Sequence, residues 1–234
     1  MQPQTRSPGR PQLASWSLLG AAIGLMVNQL GLWLALDPIA TTGQLAMSAL
    51  ATLTVFWGTT GVTRVLGALG MLGCFAGDLA PRFLDQADLA MIGAFAVGQV
   101  FLVAGFWRFV DWFAPRTLVV GTLVVAHAVG LMLFLSLSPE VPKGLLSAMA
   151  GYAVLLVLMA ITASTNRIGT IGGLAFVASD TTLALRMLGV VPGSVALSSA
   201  LMALYGVALL CLALALVLVS QRAPRRQRPA THKG

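Results

Sequence analysis

The chain has 234 residues, of which 58% are hydrophobic and 9% are charged, and its formal net charge is +7. Soluble domains carry about 25% charged residues, so this chain lacks the charge needed to cover a water-exposed surface. The composition excludes a soluble enzyme, a disordered chain and a disulfide scaffold, and it indicates a polytopic membrane protein.

Eight apolar segments are long enough to cross a bilayer, whose hydrocarbon core requires about 20 residues of helix. Turn residues or charges separate the segments from one another. The predicted spans are 15–36, 39–57, 62–80, 88–107, 117–136, 144–162, 168–189 and 194–219. The sequence therefore predicts an all-α fold with a single eight-helix transmembrane domain at 15–219. Basic disordered tails are predicted at 1–14 and 220–234.

The basic residues favour one orientation of these helices. Eight spans place both termini on one side, which receives 11 of the 14 Lys and Arg residues; the other side has Arg82, Lys143 and Arg186. Cytoplasmic loops carry the excess of positive charge in membrane proteins. We therefore expect a multi-pass protein of a bacterial plasma membrane with both termini in the cytoplasm. The positive charge is explained by topology and lipid headgroups, so we expect no nucleic-acid partner.

Cysteine and histidine spacing predicts no metal site. Cys74 and Cys211 lie alone inside the third and eighth spans, and the two histidines are isolated. No nucleotide-binding motif is present in the sequence. We expect no metal and no cofactor, with both cysteines acting as small apolar side chains.

Two acidic residues, Asp78 and Asp180, lie inside predicted spans, whereas the other five lie in loops or at span ends. Ionisable groups in hydrocarbon are costly and usually functional. A rise of 1.5 Å per residue places the two carboxyl groups within roughly 6 Å of the same depth. The alternatives are structural: Asp78 would reach the interface, and Asp180 would hydrogen-bond to neighbours or pair with Arg186.

Neutral polar side chains occur at similar depths in other spans. They are Asn28, Gln29, Gln99, His127, Tyr152 and Tyr205. The alternative to a functional role for each is a hydrogen bond between helices. That alternative applies most strongly to His127, which has no acidic residue near it in the sequence.

Three segments carry a family resemblance. Residues 70–78 read GMLGCFAGD, residues 93–106 read GAFAVGQVFLVAGF, and residues 169–183 read GTIGGLAFVASDTTL. Their order resembles the lysoplasmalogenase (YhhN-like) family of eight-helix membrane proteins. In that family a Gly-Asp pair ends the third helix and a Ser-Asp motif lies in the seventh. The resemblance covers nearly the whole chain in span number and motif order, and the two Asp motifs are its specific parts.

The chain departs from the family pattern at several polar positions. Gln99 stands where the family usually has His, and Leu102 replaces a Tyr three residues later. Asp37-Pro38 replaces a Lys-Pro pair, and Leu209 replaces a Gln in the last helix. These departures bear on the substrate more than on the fold, and they leave room for altered or lost activity.

The resemblance implies a hydrolase that cleaves the vinyl ether bond of a lysoplasmalogen, a single-chain ether lysophospholipid. The products would be a fatty aldehyde and a glycerophospho-headgroup. Asp78 and Asp180 would be catalytic, one as the acid that protonates the vinyl carbon and one as the carboxylate that activates water. The substrate-binding residues would be Gln99, Tyr152, Ser179, Tyr205 and Asn28. The lipid would enter laterally between helices, with its headgroup near Asp78.

Two other functions stay open from the sequence. A proton-coupled carrier would use Asp180 as its titrating group, although no inverted repeat supports this hypothesis. A non-catalytic lipid-binding protein of the same fold would need neither aspartate. Transport that depends on a proton gradient distinguishes the carrier, and an assay with lysoplasmalogen distinguishes the enzyme from both.

The charge asymmetry predicts that reporter fusions at residues 1 and 234 both give cytoplasmic signals in whole cells. The reason is that both ends share the side that carries most of the positive charge. Signals from opposite sides would contradict a topology with eight spans.

Overall fold

A computed structural model describes residues 9–83, 87–137 and 143–222. Within these ranges the chain forms eight helices and no strand, as the sequence predicted. They are α1 (Arg10–Trp33), α2 (Asp37–Gly58), α3 (Gly61–Phe83), α4 (Ala87–Trp107), α5 (Pro115–Ser136), α6 (Lys143–Ala163), α7 (Arg167–Met187) and α8 (Val195–Arg222). Every helix is long and apolar enough to cross a membrane, so the chain is a multi-pass membrane protein.

The first and last helices, α1 and α8, are longer than hydropathy predicted. Residues 10–14 belong to α1 and not to a disordered tail: Pro11 lies in its first turn, and Gln12 Oε1 accepts the backbone N–H of Gly9 at 3.1 Å. Residues 220–222 belong to α8, which ends at Arg222. A cation at a helix C-terminus is favourable, and helical hydrogen bonds do not depend on apolar side chains. The remaining tail residues, 1–8 and 223–234, lie outside the described ranges.

The central helix of the bundle is α8, which packs against α1, α2, α3 and α7. Sequential helices form the tightest pairs, α1 with α2, α3 with α4 and α7 with α8. By contrast, α5 packs mainly on α6 and contacts α7 only slightly. Most of its large side chains face outwards, so α5 lies at the edge of the bundle.

Glycines set the spacing between α3 and α4. A Cβ atom on Gly73 would lie 2.5 Å from the Cα atom of Gly98, and one on Gly77 would lie 2.7 Å from the ring of Phe95. Small residues allow the backbones of membrane helices to approach closely. This contact fixes the position of Asp78, which follows Gly77, relative to Gln99, which follows Gly98.

We predict that Gly73→Ala lowers the free energy of unfolding by about 1–3 kcal/mol, because the added methyl group meets backbone that cannot move aside. Gly130→Ala is the matched control, since a Cβ atom there meets nothing within 4 Å. Alanine favours helix over glycine, so the control should be neutral or slightly stabilising. Thermal unfolding of the purified variants in detergent measures both. Equal stability of the two variants would contradict close packing of α3 on α4.

Candidate active site

The carboxyl group of Asp78 lies where α2, α3 and α8 meet. Its side chain is 5% exposed. Gln44 Nε2, from α2, donates to Oδ1 at 2.8 Å, and the hydroxyl of Tyr205, from α8, donates to Oδ2 at 3.0 Å. Asp78 therefore faces the protein and is held by two other helices, instead of extending to the membrane interface.

The amide of Gln44 is itself oriented by an arginine. Arg82 lies one turn beyond Asp78 on α3, and its Nη2 atom donates to Gln44 Oε1 at 3.3 Å. Its Nη1 atom donates to the hydroxyl of Thr41 at 2.9 Å. The amide oxygen of Gln44 is thus occupied, and its NH₂ group is directed to Asp78. The sequence analysis did not select Gln44. The feature that could have revealed it is the presence of a polar amide inside the second predicted span.

The second carboxyl group, that of Asp180, is held by the hydroxyl of Tyr152, which donates to its Oδ2 atom. Asp180 is only partly buried, because it lines a cavity enclosed by α4, α5, α6 and α7. Arg186 does not pair with it; its Nη1 atom donates to the hydroxyl of Ser198 at 2.9 Å. The alternative of an Asp180–Arg186 ion pair is therefore wrong in this structure.

An aromatic cluster connects the surroundings of the two aspartates. It consists of Phe95, Phe176 and Tyr205, whose rings meet edge to face with centroids 5.8–6.4 Å apart. Phe95 lines the cavity beside Asp180, while Tyr205 donates to Asp78. Edge-to-face ring contacts are favourable beyond simple burial, so the cluster stabilises the region that lies between the two aspartates.

Cys74 lies in the same region, one turn before Asp78 on α3. It is fully buried, and both aspartates are near enough to act on it electrostatically. Asp78 is also near enough to act on Asp180. Within the described ranges, no group of three or more His, Cys, Asp or Glu side chains is placed to hold a metal ion. A carboxyl group can give or accept a proton, so these two side chains are suited to acid–base chemistry.

Among the described residues, the amide of Gln99 is a buried polar group without a hydrogen-bond partner. The residue has no exposed surface, and neither Nε2 nor Oε1 makes a hydrogen bond with any described residue. The side chain is nevertheless close to Tyr152, the residue that holds Asp180. A buried polar group without a partner is costly, and such groups persist where a ligand or a reaction uses them.

The structure brings five of the seven predicted site residues together: Asp78, Asp180, Gln99, Tyr152 and Tyr205. It does not bring Asn28 or Ser179 to a carboxyl group. Asn28 donates to the carbonyl of Ala40 at 2.8 Å and joins α1 to α2, while the hydroxyl of Ser179 donates to the carbonyl of Leu201 at 3.3 Å. Both side chains are used in helix pairing, and their substrate-binding roles stay predictions.

The comparisons with known proteins match the chain to one family. The model of the YhhN family matches residues 39–216, which begin in α2 and end in α8. This match covers both aspartates, both tyrosines, Gln44 and Gln99, and it confirms the resemblance drawn from the motifs. No curated protein and no solved structure matches the chain significantly.

Replacing Gln99 with an apolar side chain of similar length tests its role. We predict that Gln99→Met raises the free energy of unfolding by about 1–3 kcal/mol, because it removes two unpaired polar atoms from the interior. Asn28→Leu is the matched control and should lower it, since that amide is hydrogen-bonded. Thermal unfolding in detergent measures both. A Gln99→Met protein less stable than the parent would indicate a structural amide.

Proposed function

Because the chain belongs to the YhhN family, we propose that it is a membrane lysoplasmalogenase. It would hydrolyse the vinyl ether bond of a lysoplasmalogen to a fatty aldehyde and a glycerophospho-headgroup. The observation that carries the proposal is the pair of carboxyl groups inside the bundle, each held by a tyrosine and one lining an apolar cavity. Two carboxyl groups of this kind are suited to acid–base hydrolysis through an oxocarbenium ion.

Asp78 is the better candidate for the ionised carboxylate. An ionised carboxylate has only acceptor sites, and each oxygen of Asp78 accepts a hydrogen bond, from Gln44 and from Tyr205. The guanidinium of Arg82 is close enough to act on it electrostatically. In this role Asp78 would stabilise the cation and take a proton from the attacking water.

Asp180 is the better candidate for the acid. Among the described residues, a single side chain, Tyr152, donates to it. Its carboxyl group lines the cavity, where a substrate can reach it. A protonated carboxyl group is an O–H donor, and it needs an open side toward the atom that receives the proton.

The proposed reaction proceeds in three steps. Asp180 gives its proton to the vinyl carbon that is not bonded to oxygen, and an oxocarbenium ion forms at the other carbon. Water adds to that ion as Asp78 accepts its proton, which gives a hemiacetal. As the C–O bond of the hemiacetal breaks, its hydroxyl proton is transferred to the departing headgroup oxygen, which gives the aldehyde and the headgroup alcohol. The proton that Asp78 took from water then returns to Asp180 and resets both carboxyl groups. The sum is one vinyl ether and one water converted to one aldehyde and one alcohol.

In this proposal the Arg82 side chain binds the lipid headgroup near Asp78. It is exposed at the end of α3, with its guanidinium bonded to Thr41 and Gln44. Guanidinium groups bind phosphate through several N–H donors at once. The phosphate of a lysophospholipid at this end of the bundle would position its ether bond deeper in the protein, near the two carboxyl groups.

A non-catalytic, lipid-binding member of the family is the second candidate. It is favoured by Gln99, an amide that cannot act as an acid or base where the family usually has His. The two candidates differ in one observable, since both would bind the lipid and only the enzyme would release aldehyde.

We predict that Asp78→Asn and Asp180→Asn each reduce aldehyde release from lysoplasmalogen by about 100-fold or more. The double variant should lose little more, because residues that act as one unit are non-additive. The amide keeps the shape of the side chain, so thermal stability should change little. Asp37→Asn is the matched control, an exposed aspartate at the start of α2, and should keep full activity.

Near-normal turnover in either single variant would remove that residue from the mechanism. Loss of folding in place of turnover would show that the aspartates only hold the helices together. Lipid binding by the parent protein without any aldehyde release would support the non-catalytic alternative.

A further inference from the structure

We propose that the hydrocarbon chain of the substrate leaves the carboxyl site through a groove between α5 and α6, with Ala153 at its inner end. This inference rests on the proposed function and identifies where the substrate chain binds. The chain groove has two parts: an inner cavity beside Asp180 and an outer crevice between the two helices.

The inner cavity has a volume of about 80 Å³ and lies between α4, α5, α6 and α7. Asp180, Thr181 and Tyr152 supply its polar groups, and the remaining lining is apolar. Methionines contribute strongly to that lining, at positions 91, 132, 149 and 187. Methionine side chains are flexible, so a narrow cavity of this kind can adapt to one unbranched chain.

The outer crevice has a volume of about 600 Å³, which is within the usual range for ligand sites. Its walls are formed mainly by small side chains of α5 and α6, including Ala128, Val129, Ala150 and Val154. Ser136, at the end of α5, is its one polar lining residue among those described. From Val125 to Ser136 the crevice follows α5 for about 16 Å. This surface can hold a hydrocarbon chain, and among the described lining residues it offers a polar ligand only Ser136.

The two parts meet at a shared pair of residues. Met132 and Ala153 line both the inner cavity and the outer crevice. The other side of α5 is tied to α7 by a hydrogen bond of 2.8 Å between His127 Nε2 and the hydroxyl of Thr181. A hydrocarbon chain that begins beside Asp180 can therefore continue past Met132 and Ala153 into the crevice between α5 and α6.

The direction of the groove agrees with the chemistry. The vinyl carbon that receives the proton is on the hydrocarbon side of the ether oxygen, so the acid must lie on that side. Asp180 lines the inner cavity, whereas Asp78 lies beside Arg82 at the end of α3. A lipid with its headgroup near Arg82 and its chain in the groove presents the ether bond to the two acids in the required order.

Ala153→Phe should block the junction. In purified protein, we expect kcat/KM for a long-chain choline lysoplasmalogen to fall about tenfold or more, with little change for a short-chain one. Gly151→Phe is the matched control on the same helix: a Cβ atom there meets nothing within 4 Å, and the residue lines neither part of the groove. An equal loss for both chain lengths in Ala153→Phe, with the protein folded, would overturn the inference.

A binding measurement separates this inference from the proposed function. A non-hydrolysable alkyl-ether lysophosphatidylcholine with a diazirine near the chain end should label α5 and α6 at the crevice of the wild-type protein. Aldehyde release is measured in parallel with a lysoplasmalogen. Labelling at the crevice without aldehyde release would support the binding of the chain in the groove and contradict the proposed enzymatic activity. Aldehyde release together with labelling elsewhere would overturn the inferred position of the hydrocarbon chain, while the proposed activity would stand. If Ala153→Phe does not fold, the wild-type labelling pattern decides.

Discussion

A carboxyl group placed inside the hydrocarbon must find its hydrogen bonds within the protein, because no bulk water is available there. In this bundle each aspartate meets that requirement through a tyrosine from another helix, Tyr205 for Asp78 and Tyr152 for Asp180. These two bonds tie α3 to α8 and α6 to α7. The arrangement of the inner helices therefore depends on keeping both acids paired.

The helices are packed differently around the two aspartates. Around Asp78 the helices are packed closely, with Gly73 and Gly77 of α3 against α4 and the edge-to-face rings of Phe95, Phe176 and Tyr205. Around Asp180 the packing is open toward α5, the most peripheral of the described helices. Asp78 therefore lies in a closely packed site and Asp180 in an open one, although the two side chains are chemically identical.

The sequence predicted the fold well because hydropathy reports directly on what a bilayer requires of a helix. It also predicted that Asp78 and Asp180 lie inside the bundle, since charge inside an apolar span is conspicuous. It could not identify Gln44, because which side chain meets Asp78 depends on how α2 is rotated against α3. For the same reason it could not place Asn28 in helix pairing, nor find a groove formed by small residues of two separate helices. The sequence did not predict the helix ends at Arg10 and Arg222, because hydropathy detects the apolar segment that lies in the bilayer and a helix can extend beyond that segment.

In the proposed reaction, a carboxylic acid inside the helix bundle protonates a vinyl carbon. The most direct test is cleavage of a lysoplasmalogen in D₂O, followed by mass spectrometry of the aldehyde after its immediate reduction to the alcohol. The acid exchanges its proton with solvent, so the account predicts one deuterium on the carbon next to the former carbonyl. Aldehyde formed without that deuterium would contradict protonation at carbon, and with it the role given to the two aspartates.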